Sequence, residues 1–329
     1  MSGALEILSC GPLVTVQDDG RPGWLAQGLA RGGAADRRAR AEAAALLGGD
    51  PGAGIESPGS PLRLRLHAEA TLAFTGAEMR VEAEGRAVPW HASLSFPAGT
   101  VLDLRPTAKG SYAYIHVAGG LRTAPVLGAR AAHLIAGLGR ALAAGDTLPF
   151  EPSRHAARRL SRRPDGFDGG TLRVVPTPQT RLFPDEELAR FAETVFTRDP
   201  RGNRQGVRLA SEGAGFQTEG QLSLLSDFVL PGDLQMTGDG TPYILGPECQ
   251  TTGGYPRIAS VIPADLPRAM QAPPGARVRF EFVTVEEARA APPDRPQTEP
   301  LTRAPGDDPD LLTRQLIGGV ISARVEEPQ

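Results

Sequence analysis

The sequence predicts a mainly β protein built as two domains with a few short helices, and three observations carry that reading. The chain has 329 residues, beyond the usual size of one domain, so two units of ~150 residues each are expected. Its 40 glycines and 31 prolines exceed a fifth of all positions. They follow no period and separate apolar runs, which is the pattern of many turns in a folded chain rather than of disorder. Those runs are short, recur about every ten residues through much of the first half and lack helical periodicity, as in antiparallel barrels and sandwiches.

Composition also removes whole classes of function. A formal net charge of -3 and a pI near 6.0 supply no broad positive field, so neither nucleic acid nor an anionic membrane surface is an expected partner. A small ligand or another protein is. No run of ~18 apolar residues is present, and the first residues lack the basic start and long apolar centre of a signal peptide, so a cytoplasmic protein is expected. Cys10 and Cys249 are the only cysteines, too few for a disulfide framework. His67, His91, His116 and His133 show no paired spacing, so no metal site is expected. Lys109 is the only lysine. The Gly-Lys-Ser/Thr element of a P-loop is therefore absent, and a Schiff-base mechanism would depend on a lysine in a turn-like Pro-Thr-Ala-Lys-Gly setting.

Taken in order, residues 5–16 read as a strand, a turn at Gly11-Pro12 and a second strand at 13–16. They deliver Gln17, Asp18, Asp19, Gly20 and Arg21 to a surface. A functional loop and an Asx-turn before glycine both fit this cluster. Residues 37–47 read as an alanine-rich helix with Asp36 as N-cap and Gly48 as C′, burying Ala43, Leu46 and Leu47. The Gly32-Gly33 pair before it serves either an anion at the helix start or close backbone packing. Strands follow at 62–66, 70–74, 79–81, 88–90, 101–104, 112–117 and 147–150. Residues 152–170, rich in arginine and poor in apolar side chains, read as a linker. The expected domains are thus 1–165 and 166–329.

The second half opens with a strand at 172–175. Leu188, Phe191, Ala192, Val195 and Phe196 then repeat with helical spacing, predicting a helix over 184–196 with three acids in its first turn. The loop 198–209 carries four arginines, of which Arg204 and Arg208 suit bidentate grip of a carboxylate. Strands are expected at 222–225, 228–230, 234–236 and 277–280, a Pro-rich draped segment at 288–310, and a terminal helix or strand at 310–320.

The stretch 246–261, GPECQTTGGYPRIASV, concentrates the polar chemistry. Gln250, Thr251 and Thr252 supply an amide and two hydroxyls, Gly253 and Gly254 let a ligand approach the backbone, and Ile258, Ala259 and Val261 read as a buried strand. A ligand site and a decorated glycine hairpin both fit these residues.

Together the glycine-rich stretches resemble the biotin-dependent carboxyltransferase-like family, which includes allophanate hydrolase subunit 2, KipA proteins and the C subunit of 5-oxoprolinase. Gln17, Asp18, Gly20, Arg21 and Gly23 match its first motif, and Gly33, Ala34 and Asp36 its second. Residues 117–120 and 126–130 match two more, and the Gln-Thr-Thr-Gly-Gly-Tyr-Pro motif stands unbroken at 250–256. Leu29-Ala30, Gln205 and Glu248 depart from the pattern. The resemblance implies two cyclophilin-like β-barrel domains with ligand at their junction, or at the junction with a KipI-type partner, the B subunit of such a complex.

The leading expectation is the C subunit of a 5-oxoprolinase-type complex that opens a small cyclic amide, with a lactam-hydrolase A subunit as a further partner. ATP would be used by the complex, at a site not identifiable in this chain. Asp18 would act as base, Arg21 and Arg204 would orient a carboxylate, and Gln250, Thr251 and the amides near Gly253 and Gly254 would stabilise an oxyanion. Gln17, Gln235, Thr252 and Tyr255 complete the substrate-binding set. The resemblance also implies two rivals: a urea or amide carboxyltransferase with biotin supplied by another chain, and a non-catalytic KipA-type regulator of a KipI-like protein.

Overall fold

A computed structural model describes residues 3–218, 224–291 and 295–301. The short alternating runs of the first half become two sheets. Leu62–Leu66 shows the cause: its three leucines are buried while Arg63 is exposed and Arg65 half-buried, the period of two that gives a strand one dry face. One sheet runs in the order Thr147–Phe150, Gly3–Cys10, Leu62–Leu66, Val101–Pro106, Met79–Ala83, Arg86–Val88. The other runs Thr15–Gln17, Gly54–Ser57, Ala113–Val117, Ala70–Gly76, Ala92–Phe96, Arg158–Leu160, Thr298–Pro300. Their inner faces share one core, with Ile7, Leu64 and Leu102 from the first sheet against Ile55, Phe74 and Ile115 from the second.

In the second half seven strands close into a barrel. Their order is Gly169–Val175, Arg257–Val261, Asp233–Met236, Pro242–Leu245, Gly206–Ala210, Phe196–Arg198 and Arg277–Phe282, and closure comes from parallel pairing of the first with the last. Aromatic side chains pack on it: Phe191 stacks on Phe280 with centroids 4.8 Å apart, and Phe216 meets Phe191 edge-on. The mainly β class holds, with four short helices among the described residues. None of these is long and apolar enough to cross a membrane.

Helix Arg37–Leu47 forms as its caps dictate. The Asp36 side chain accepts from the Ala39 amide, and Gly48 takes the left-handed conformation at φ 74°. Ala43, Leu46 and Leu47 bury against Ala73 of the second sheet and Ala118 just beyond the strand Ala113–Val117. Three expectations shift. The second strand is Thr15–Gln17, because Leu13 turns to a positive φ and points into solvent. The helix expected over 184–196 is Asp185–Glu193, since Phe196 is buried as the first residue of a barrel strand. The 152–170 segment carries the strand Arg158–Leu160, which pairs with Ala92–Phe96 and with Thr298–Pro300. The strand expected at 222–225 falls partly, and the terminal element at 310–320 wholly, outside the described residues.

The halves are welded together rather than strung apart. Tyr112, Tyr114, Ala34, Ala35 and Ala39 of the first half share an apolar cluster with Leu172, Met270 and Phe280 of the second.

Candidate functional site

Where the halves meet, a buried polar network has Arg204 at its centre. Its Nε donates to Glu248 Oε1 at 2.5 Å, its Nη2 to the Gly33 carbonyl at 2.5 Å, and its Nη1 to Glu56 Oε1. Glu56 is 1% and Glu248 2% exposed, so both buried carboxylates draw on this shared guanidinium for a counter-charge. Burial alone would lower the Arg204 pKa, but the two carboxylates outweigh it and hold it above the ordinary arginine value. Glu56 Oε2 also accepts from the Ala35 amide at 2.9 Å and from Tyr114 Oη at 2.7 Å. Tyr114 Oη in turn accepts from the Asp36 amide, and Asp36 Oδ2 accepts from Gln271 Nε2 at 2.8 Å. A continuous chain of polar contacts thus joins the first half's strands, the capped helix and the barrel.

Above this network lies a cavity of about 430 Å³, within the range of small-molecule sites. Arg204, Glu248, Tyr112 and Arg198 give it polar walls, while Leu13, Ile135, Pro58 and Pro274 give it apolar ones. Burial, then the Glu56 charge, pushes the Tyr112 phenol up to about 12, so it carries its proton at neutral pH. His133 stands beside the network with Nδ1 3.9 Å from Glu248 Oε2. Its pKa is lowered by burial, against the pull of Glu248, and its Nε2 is buried without a partner.

The residues singled out in the sequence separate into three places. Arg204 lines the cavity. Gln17, Asp18 and Arg21 sit beneath a neighbouring loop: Gln17 Nε2 donates to the Thr15 hydroxyl and the Ala132 carbonyl. Asp18 Oδ1 accepts from the Gly20 amide at 2.8 Å and Oδ2 from the Arg130 amide at 2.6 Å. Arg21, 1% exposed, donates to the carbonyls of Val126 and Ala131. Asp18 is thus engaged with two backbone amides and Arg21 with two backbone carbonyls, while Arg21 Nη1 is buried without a partner. The Gly32-Gly33 pair serves packing: a Cβ on Gly33, at φ 82°, would stand 2.7 Å from the Asp19 and Gly20 backbone.

The remaining predicted residues gather on the barrel's outer side. Gln250 Nε2 donates to Gln235 Oε1 at 2.8 Å, and Gly253 leaves room for Gln235 Nε2, which a Cβ would approach to 2.7 Å. Thr252–Gly253 pairs with Asp227–Phe228, Thr251 is buried, and the Gly254 position is half-buried. Tyr255 is exposed, as are the apolar residues Phe228 and Leu230 of the same region. None of these residues lines the cavity. Sequence reasoning missed Glu56, Tyr112, Tyr114, His133, Arg198 and Gln271. Signals existed for Glu56, an acid in a strand otherwise made of apolar and small residues, and for Arg198, one of the four arginines of the 198–209 loop.

A family model described as the carboxyltransferase domain, subdomain A and B, matches residues 27–282. The C subunit of 5-oxoprolinase from Escherichia coli strain K12 is 32% identical over 296 residues, covering 88% of this chain and 95% of that protein. A urea amidolyase of Saccharomyces cerevisiae is 24% identical, covering 87% of this chain but 17% of that protein. The solved Kluyveromyces lactis urea carboxylase shares the fold, with a TM-score of 0.77 at 22% identity over 87% of this chain and 28% of that one. On these matches, which agree with the motifs at 17–36 and 250–256, the chain belongs to the biotin-dependent carboxyltransferase-like family that includes the C subunit of 5-oxoprolinase.

Proposed function

We propose that this chain is the C subunit of a 5-oxoprolinase-type complex, which hydrolyses a cyclic amide at the expense of ATP together with a KipI-type B subunit and a lactam-hydrolase A subunit. The observation that carries the reading is the end-to-end match: the chain spans 95% of a relative named as a separate 5-oxoprolinase component, and 17% of the urea amidolyase. The cavity between the halves is the pocket we assign to the substrate. Its size suits a small cyclic amide, and its polar wall suits an amide and a carboxylate. Arg204 and Glu248 hold that wall in place, and Tyr112 offers a phenolic O–H. Gln250, Thr252 and Tyr255, away from the cavity, present polar and aromatic groups suited to contact with another component of the complex. ATP would be used by the complex, at a site not identifiable in this chain, whose sole lysine is Lys109.

The test is reconstitution. The chain purified with its partner proteins is expected to release glutamate from 5-oxoproline only with ATP, and omission of this chain is expected to abolish release. Arg204→Ala and Gln250→Ala are each expected to reduce turnover at least tenfold; full activity in both would remove the site assignment. The family model and the urea carboxylase fold favour a second reading, a carboxyltransferase that uses biotin carried by another protein. Turnover that requires a biotinylated partner would select it.

A further inference from the structure

The arginines around strand Phe196–Arg198 are matched to carboxylates, with one exception. Arg201 and Arg208 share Asp199 at 2.8 and 2.6 Å, and Arg204 takes Glu56 and Glu248. Arg198 is 6% exposed. Among the described residues no carboxylate lies within 4.0 Å of it. Its one hydrogen bond is long, from Nη1 to the Asp199 carbonyl at 3.5 Å, and its Nε is buried with no partner. Burial holds its pKa below the ordinary arginine value. Gly202 makes room for the group, since a Cβ there would stand 2.9 Å from Nη2.

A buried guanidinium with an unused bidentate edge is costly unless something pairs with it. Arg198 lines the cavity between the halves, as does Tyr112. The Tyr112 hydroxyl is protonated at neutral pH and donates to no described residue, which makes it a second donor on the same wall. Arg204 adds no free charge, being already committed to two acids. Arg198 is thus the arginine of this cavity wall with no carboxylate within 4.0 Å among the described residues, Asp199 acting on it only at longer range, and a monoanionic ligand matches it. A planar carboxylate suits the parallel N–H groups of a guanidinium, whereas a phosphate dianion would leave a buried charge unpaired.

We propose that Arg198 is the anion-recognition residue of the cavity and takes the carboxylate of a small-molecule ligand, with Tyr112 as the supporting donor. This deepens the function proposed above and rests on it for the ligand's identity, because 5-oxoproline carries one carboxylate beside its lactam.

The experiment measures binding of 5-oxoproline, 2-pyrrolidinone, acetate and inorganic phosphate to the full chain by calorimetry, alongside KM in the reconstituted complex. Arg198→Gln is expected to weaken 5-oxoproline roughly 10- to 100-fold, the range for lost charge-assisted hydrogen bonds, and to leave 2-pyrrolidinone unchanged. Arg198→Lys is expected to recover part of the loss. Without ligand, Arg198→Gln should melt no lower than the parent chain, because it removes an unpaired charge; an arginine with a purely structural role would lower the melting temperature. Unchanged 5-oxoproline binding by Arg198→Gln in an active complex overturns the anion site and leaves the proposed function standing. A chain that ignores 5-oxoproline yet binds acetate in an Arg198-dependent way overturns the lactam reading and upholds the anion site. Phosphate displacing 5-oxoproline at equal concentration overturns the carboxylate assignment.

Discussion

Arg204 commits each of its three nitrogens to a different element: the strand Gly54–Ser57 through Glu56, the loop before the first helix through Gly33, and the 246–251 loop through Glu248. Removing it strands two buried carboxylates at once. Arg204→Ala is therefore expected to lower unfolding stability by about 3–5 kcal/mol, the cost of breaking a buried ion pair from one side. Urea denaturation checks this. In the same assay Arg204→Met combined with Glu56→Gln and Glu248→Gln should recover most of the loss, since no unpaired charge then remains; equal instability of the single and triple variants would show that packing, not charge, is at stake. The arginine itself was legible as a carboxylate-gripping residue, but the carboxylates it grips belong to this chain. Glu56 was invisible as its partner because nothing local in a Gly-Ile-Glu-Ser strand records a residue from the other half. Asp18 and Arg21 were legible as a cluster, but their backbone partners were not, because sequence shows which polar groups are adjacent and not which backbone amides and carbonyls will occupy them.

At the scale of elements, helix Arg37–Leu47 was read closely because its signals are local: an N-cap acid, a C′ glycine and a narrow apolar stripe. Its cap does a second job that no local signal reports. Asp36 Oδ1 holds the Ala39 amide while Oδ2 accepts from Gln271, which also donates to the Tyr112 carbonyl and accepts from the Ser111 and Tyr112 amides. Asp36→Ala should cost about 1 kcal/mol for the cap and about 1–3 kcal/mol more for the unpaired Gln271 donor. Asp36→Ser, which keeps a cap of shorter reach, should lose the second part alone. Thermal melts of the two variants separate the contributions, and equal losses would mean that the tie to Gln271 contributes nothing. The other helix overran its true end for the opposite reason. Its apolar spacing continues through Val195 and Phe196, but Phe196 meets Val278 in a barrel pairing, and a tertiary ladder overrides a local period.

For the whole molecule, composition and spacing made the β class readable, whereas closure was not: the barrel depends on parallel pairing of Gly169 with Arg277, and Thr298–Pro300 returns to the first-half sheet. Long-range pairing leaves no periodic trace. It does create deep interiors, and two histidines sealed in the first half should set how the molecule responds to acid. His116 is 0% exposed, stacks on Tyr114, and has its pKa lowered to about 3 by burial and then by Arg40. His91 is lowered to about 4 by burial, then by Arg163 and Arg38. Both values lie below the ~6.5 of an unfolded histidine. Above that pH both states are neutral at these sites and the histidines are indifferent. Below it the unfolded chain takes up protons that the folded chain refuses, so stability falls until pH reaches the folded values, by about 1.4 kcal/mol per pH unit for each histidine. Urea midpoints measured from about pH 6.5 down to about pH 4.5 should therefore drop steeply, in a window largely above the ordinary carboxylate range. Replacing His116 with Gln, which has no proton to gain, should cut that slope by about one proton's worth; an unchanged slope would show that His116 is protonated inside the folded protein.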